Sequence, residues 1–340
     1  MDFSTLYNKT IMITGATGMI GQNIVSCIRW LNEEERADIT IIAHGRSEEK
    51  LKALYGEFLS DPLFKTTICD VTELQYDGPV DYIIHTASIT GGSKQHLDFP
   101  MRTLGTAIDG TRRVLDLAMN KHCQGVVFLS SLEVYGYTGN AENNITETDG
   151  GHIDTMNPRS SYSEGKRVSE CLFTAYAKQY GLPAMVARLT ASFGTGVSPK
   201  DNRVFAQFAK SILAGEDIVL KSTGETVRDY CDAMDVATAL LTILVAGIPG
   251  QAYNVANMDT EISIRDLAQR FIDLYPEAGS RLVFDLKEDA AKLGYNPIMR
   301  NVLDSKKLMD LGWKPQYSID DMIRHLVESL RVSQKVGREV

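Results

Sequence analysis

Two hydrophobic patterns alternate along the first half of the chain. Short runs rich in β-branched residues occupy 10–14, 39–43, 66–69, 82–86, 125–130 and 184–189, and read as strands. Between them, 19–31, 48–58, 103–121 and 162–180 carry apolar residues at helical spacing. That alternation predicts βαβ units around a parallel sheet. From about residue 197 the elements shorten, glycine and proline turns become frequent, and a helix ends near Gly312, ahead of Trp313, Lys314 and Pro315. The expectation is a large α/β unit over 1–196 and a smaller C-terminal α/β lobe over 197–340, with the chain crossing between them. Neither an internal repeat nor a long Gly/Ser linker interrupts this, so the two parts should pack closely.

Composition narrows the function classes. The 340 residues are 44% hydrophobic and 23% charged, enough for a sizeable core, and the net charge of −9 repels phosphate polymers. No nucleic-acid partner is expected, and an anionic ligand must be held by local groups such as helix N-termini and single arginines. Cys27, Cys69, Cys123, Cys171 and Cys231 are scattered, form no CxxC, and read as reduced structural thiols rather than metal ligands. The N-terminal residues lack a basic patch followed by an apolar core, and the most apolar stretch, 237–248, falls short of the roughly 20 residues a bilayer needs. A cytoplasmic protein without membrane contact is the expectation.

Residues 11–21 read IMITGATGMIG, an apolar strand running directly into a glycine-rich turn and then a helix. Glycines there permit a tight turn, let backbone N–H groups approach a pyrophosphate, and leave room for the helix against the sheet. Gly15, Thr17, Gly18, Met19, Ile20 and Gly21 are therefore candidate dinucleotide contacts. The GxxGxxG spacing resembles the short-chain dehydrogenase/reductase superfamily, which implies a Rossmann-type doubly wound parallel sheet. In that resemblance Asp70 and Val71 take the place of the residues that read the adenine; the plain alternative for Asp70 is a turn carboxylate. His85, Thr86, Ala87 and Ser88 end the fourth strand where the family lines the cofactor's ribose and phosphates, although a lone His85 equally fits a satisfied core histidine. At the end of the second strand, the acidic residue expected for the ribose hydroxyls of NAD is replaced by His44-Gly45-Arg46-Ser47. NAD is the expected cofactor. NADP stays open, because Arg46 either pairs with a 2′-phosphate or is a solvated surface residue.

Tyr162 and Lys166 stand at i and i+4, on one helical face. A nearby ammonium and a bound nicotinamide cation favour the phenolate, which suits proton exchange with a sugar hydroxyl. Ser131 precedes them at the end of the fifth strand, where its hydroxyl can orient the same substrate oxygen; Ser130 is read as satisfying backbone or cofactor. This order resembles the extended branch of the superfamily, the NAD-dependent nucleotide-sugar epimerases, dehydratases and decarboxylases, over nearly the whole chain. Residues 129–136 (LSSLEVYG) look like its active-site strand and loop, and 159–167 (RSSYSEGKR) look particularly like UDP-glucuronate decarboxylases. Residues 224–230 (GETVRDY) match the segment whose arginine, Arg228 here, holds the nucleotide diphosphate. Residues 303–308 with 311–315 resemble the branch's C-terminal signature.

The resemblance implies transient oxidation at C4 of a nucleotide-linked sugar. Dehydratases of the branch carry an Asp-Glu pair, but this chain has Leu132-Glu133, and leucine cannot transfer a proton. Glu133 is read as managing a proton at C5, and Arg159 either as the cation that positions a substrate carboxylate or as a helix-start ion pair. Arg203 resembles a second diphosphate contact or is a solvated helix-start residue. Two asparagines common in the branch are absent: Ala107 and Ala191 stand in their places, with Thr190 or Ser192 as replacement hydrogen-bonding groups. Decarboxylation of a nucleotide-linked uronic acid ranks first and 4-epimerisation second. An NADP-dependent reductase or dehydrogenase and a non-catalytic dinucleotide sensor are the remaining alternatives. The branch usually pairs through two helices, so a homodimer through 103–121 and 162–180 is expected.

Overall fold

The computed structural model describes residues 2–90, 93–139, 142–286 and 298–336. In chain order its strands are β1 (Thr10–Thr14), β2 (Thr40–Gly45), β3 (Phe64–Ile68), β4 (Tyr82–His85), β5 (Gly125–Ser131), β6 (Ala184–Leu189), β7 (Ala191–Phe193), β8 (Ile218–Leu220), β9 (Val227–Asp232), β10 (Ala252–Val255), β11 (Asn257–Ser263), β12 (Leu282–Phe284) and β13 (Arg300–Asn301). The helices are α1 (Met19–Glu35), α2 (Glu48–Tyr55), α3 (Ser93–Asp98), α4 (Pro100–Gly105), α5 (Thr111–Asn120), α6 (Ser161–Tyr180), α7 (Val204–Ala214), α8 (Ala233–Ala246), α9 (Ile264–Leu274), α10 (Lys306–Met309) and α11 (Ile319–Val336).

A seven-stranded sheet in the order β3-β2-β1-β4-β5-β6-β10 forms the centre, and all its neighbours pair in parallel. Its strands read as apolar runs because helices cover both faces. On one face Ile11, Ile13 and Ile41 pack with Ile24 and Ile28 of α1 and with Val236, Leu240 and Ile243 of α8. On the other, Met12, Ile42, Ile83 and Phe128 pack with Val114 and Leu115 of α5 and Phe173 of α6. The strand order reverses between β1 and β4, where Thr14 lies beside His85 in register. In an open α/β sheet a crevice forms at the carboxyl ends of the strands at such a reversal.

The second lobe has its own core, in which Phe193, Phe205, Phe208, Tyr230 and Phe271 meet Leu326 and Leu330 of α11. Its mixed sheet centres on β9, which pairs antiparallel with β11 and parallel with β7 and β13. From within residues 197–340, α8 returns to the first core and β10 to the edge of the first sheet, beside β6.

Several boundaries differ from those expected. α1 continues to Glu35 and stops where Arg36 turns left-handed at φ 54°. The helix expected over 103–121 instead begins with Pro100 in its first turn and contains a π turn at Thr106–Gly110 before α5. Of the cysteines, Cys27, Cys123 and Cys231 are buried but Cys171 is exposed on α6, so it is not a core thiol. Among the described residues no helix is long and apolar enough to cross a membrane.

Candidate active site

β1 delivers the chain to a turn that only glycine can make. Gly15 has φ +72°, and a Cβ on it would lie 2.9 Å from the Cα and N of Ala87. A Cβ on Gly21 would fall 2.5 Å from the carbonyl oxygen of Gly15. α1 starts after Gly18 with no side-chain cap and no acidic residue in its first turn, which leaves that turn's N–H groups for an anion. This cradle, which any Cβ would fill, fits the pyrophosphate of a nicotinamide dinucleotide. Thr86 supports the turn from β4, its hydroxyl donating to the Thr14 carbonyl at 2.6 Å, and the N–H of Ala87 reaches the Thr14 hydroxyl at 3.3 Å. Ser88 follows, half-buried, at the same strand end.

Two histidines flank the turn from inside. His85 is fully buried, with Nδ1 at 2.7 Å from the Thr14 hydroxyl and Nε2 at 3.3 Å from that of Thr111. Burial pushes its pKa down to about 3. Its ring is thus a neutral core group, and the expectation that its side chain contacts the cofactor is corrected: both nitrogens are already engaged in the core. His44, at the end of β2, bridges the Gly15 N–H and the Cys69 carbonyl. At the end of β3, Asp70 caps a short turn by accepting from the N–H and hydroxyl of Thr72, while Val71 is buried. Arg46 approaches Asp70 to 4.0 Å, so two residues singled out from separate strand ends do meet.

Ser131 ends β5 and accepts from the N–H of Glu133, opening a short helical turn. Across the cleft α6 presents Tyr162 and Lys166 together. The Lys166 Nζ donates to the Leu129 carbonyl at 2.6 Å and lies 4.6 Å from the Phe128 ring centre and 5.8 Å from that of Tyr162. Burial pushes Tyr162 up to about 12, opposed by a hydrogen bond from Ser131, and pulls Lys166 down to about 7, opposed by Glu170. Ser130 reaches neither backbone nor the cleft; its hydroxyl donates to Glu170 at 2.5 Å, and Glu170 in turn pairs with Arg188 at 2.7 Å.

Glu133 faces the same side of the cleft as Tyr162. Its Oε1 lies 3.5 Å from Nη2 of Arg159, and its Oε2 accepts from Ser163 at 3.3 Å. Beside them is a group that pattern reading missed, His96 of α3. Its ring stacks on Tyr162 at 4.7 Å with a 28° tilt, and its Nδ1 contacts the Thr103 hydroxyl at 3.2 Å. Burial lowers its pKa, as does the Arg159 charge, while Glu133 opposes. No spacing marks a single histidine in a short helix, whereas Glu170, one turn after Lys166, was there to be read.

In the second lobe the arginines and hydroxyls part company. Thr190 is buried and donates to Asp229, and Ser192 donates to the Thr190 carbonyl at 3.1 Å. Both hydroxyls are consumed inside the β6–β9 junction, so the expectation that they replace a sugar-diphosphate contact is corrected. Arg203 precedes α7, is held by Asp201 at 2.6 Å, and is close enough to Tyr162 to act on it electrostatically. Arg228, on β9, has a buried Nε without a hydrogen-bond partner among the described residues. An orphaned guanidinium nitrogen fits an anionic ligand.

Comparison with known proteins assigns this arrangement to a class. Residues 11–256 match the NAD dependent epimerase/dehydratase family, and the chain belongs to it. It is 27% identical over 333 residues to UDP-glucuronic acid decarboxylase 6 of Arabidopsis thaliana, covering 98% of this chain and 92% of that one. Among solved structures, UDP-glucose 4-epimerase of Thermotoga maritima with UDP-glucose superposes with a TM-score of 0.78 at 20% identity, over 96% of this chain and 99% of that one. The Bordetella bronchiseptica enzyme WbmF in complex with NAD+ and UDP gives 0.76 at 23% identity, over 98% and 95%.

Proposed function

We propose that the protein decarboxylates a nucleotide-linked uronic acid through transient oxidation at C4 of the sugar. The observation that carries this reading is the placement of Arg159 and Glu133, 3.5 Å apart, beside Tyr162, with Leu132 where dehydration would require a second acid. A bound oxidised nicotinamide dinucleotide supplies a hydride acceptor that later gives the hydride back, and a positive charge that favours the Tyr162 phenolate. Gly15, Thr17, Gly18, Met19, Ile20 and Gly21 would hold its pyrophosphate, with Thr86, Ala87 and Ser88 lining the ribose side.

Tyr162 takes the proton of the C4 hydroxyl while Ser131 holds that oxygen. The C4 ketone makes the sugar a β-keto acid. Arg159 binds its carboxylate, the C5–C6 bond breaks, and carbon dioxide leaves with the electron pair retained at C5. Glu133 manages the proton that C5 then gains, and Tyr162 returns its proton to the C4 oxygen as the hydride comes back. Arg203 and Arg228 are read as holding the nucleotide diphosphate. Exposed Val168 and Tyr180 on α6 support pairing of two copies through α5 and α6, with the mass of a dimer expected by light scattering.

The test is incubation with NAD or NADP and a panel of nucleotide sugars and nucleotide-linked uronic acids, followed by mass spectrometry and cofactor absorbance. Loss of carbon dioxide from a uronic acid without net cofactor reduction is expected. An unchanged mass with altered mobility establishes 4-epimerisation instead, and net cofactor turnover establishes an oxidoreductase.

A further inference from the structure

The inference concerns the adenosine end of the cleft and rests on the dinucleotide reading above. β2 brings no carboxylate there. His44 is locked in place, its Nδ1 accepting from Gly15 N–H at 3.4 Å and its Nε2 facing the Cys69 carbonyl at 3.1 Å. Burial pushes its pKa down to about 4, so the ring brings neither a charge nor a spare nitrogen. Gly45 adds no side chain, and a Cβ there would lie 3.2 Å from the Thr17 methyl.

The next side chain is Arg46, 53% exposed, whose ion pair with Asp70 spans 4.0 Å. Asp70 is already engaged, its Oδ1 accepting from the N–H and hydroxyl of Thr72 at 3.1 and 2.9 Å. Two further arginines border this turn: Arg102 acts on Asp70 electrostatically, and Arg113 donates to the Thr72 carbonyl at 3.4 Å. Of the nearby acids, Glu48 is paired with Lys52 at 2.7 Å and Glu73 is exposed.

We propose that Arg46 forms a subsite for the 2′-phosphate of NADP, and that the protein binds NADP in preference to NAD. A free ribose diol needs an acceptor, and β2 supplies none. A 2′-phosphate needs a planar array of donors, and a guanidinium offers one that matches its oxygens in pairs. The existing pair with Asp70 is long and half-exposed, so it contributes little and Arg46 can turn to a phosphate at small cost.

Protein freed of nucleotide is titrated with NADP+ and NAD+ by calorimetry, and with 2′,5′-ADP and 5′-ADP, which bind without any reaction. The 2′-phosphorylated member of each pair is expected to bind about tenfold tighter or more, the effect of one charge-assisted contact, with the margin shrinking as salt is raised. Arg46→Ala should erase that margin and leave NAD+ affinity within about twofold. Equal or tighter binding of NAD+ by the unaltered protein overturns the proposal, as does an Arg46→Ala variant that weakens both dinucleotides alike. Failure of either dinucleotide to bind removes the dinucleotide reading itself, and the subsite with it.

Discussion

The guanidinium of Arg159 stands 3.5 Å from the carboxylate of Glu133, both side chains about one-third exposed at the mouth of the cleft. A pair of that length and exposure is worth less than about 1 kcal/mol, so a substrate carboxylate can displace Glu133 from Arg159 with little loss. Arg159→Met should therefore raise KM for a uronic acid substrate by about tenfold or more, while binding of the corresponding neutral nucleotide sugar changes little. Steady-state kinetics with the acid and inhibition by the neutral sugar measure the two effects. Equal weakening of both would assign Arg159 to the helix start alone.

Glu133→Gln separates two steps. It keeps the size of the side chain and removes its proton chemistry, so carbon dioxide release should fall by about a hundredfold or more while transient C4 oxidation persists. Single-turnover absorbance of the reduced nicotinamide, read beside carbon dioxide capture, distinguishes the two. Retained decarboxylation would remove Glu133 from the C5 step.

Tyr162→Phe should abolish the C4 chemistry, lowering kcat by about a hundred- to ten-thousand-fold, with dinucleotide affinity largely intact. Product analysis and calorimetry on the same preparation check both halves. Unchanged turnover would end the mechanism.

His96 is a plate against which Tyr162 rests. Aromatic stacking of this kind contributes about 0.5–1.5 kcal/mol, so His96→Ala should lower kcat by up to about tenfold. His96→Phe keeps a ring at the same place and should restore most of the rate. If the phenylalanine variant is as slow as the alanine one, the imidazole itself is required.

Lys166 gives a pH dependence whose sign is fixed. Burial holds its pKa at about 7 in the folded protein, against 10.5 for the free side chain. Between those values the unfolded chain carries a proton that the folded one lacks, so this contribution to stability rises with pH. The cost of the buried ammonium is full below pH 7 and vanishes towards 10.5. Relative to Lys166→Met, the native protein should gain up to about 1.4 kcal/mol per pH unit from pH 7 to 9 in urea unfolding. Parallel stability curves for the two proteins would contradict this.

The sequence carried the strand framework well, because a parallel sheet covered on both faces writes itself as apolar runs. β1 and β6 begin and end where those runs do. Turn chemistry was equally legible: glycines at 15 and 21 are demanded by contacts of the backbone with its near neighbours. What could not be read was where a polar side chain spends its hydrogen bonds. Thr190 and Ser192 looked free to serve a ligand, yet Asp229, almost forty residues away, claims Thr190. His85 is likewise spent on Thr14 and Thr111, partners that only the folded sheet supplies. His96 reaches Tyr162 through tertiary packing alone, and no local spacing encodes that.

The return of β10 to the edge of the central sheet ties assembly of the two lobes into one event. A fragment ending near residue 196 would keep β6 but lose its outer neighbour, and would lose α8 from one face of the sheet as well. It would expose an unpaired parallel strand beside bare apolar surface, the combination that drives chains to associate edge to edge. The cleft between the lobes is thus held by a shared sheet, and the arginines of the second lobe reach their places only once the last strand of the first has docked.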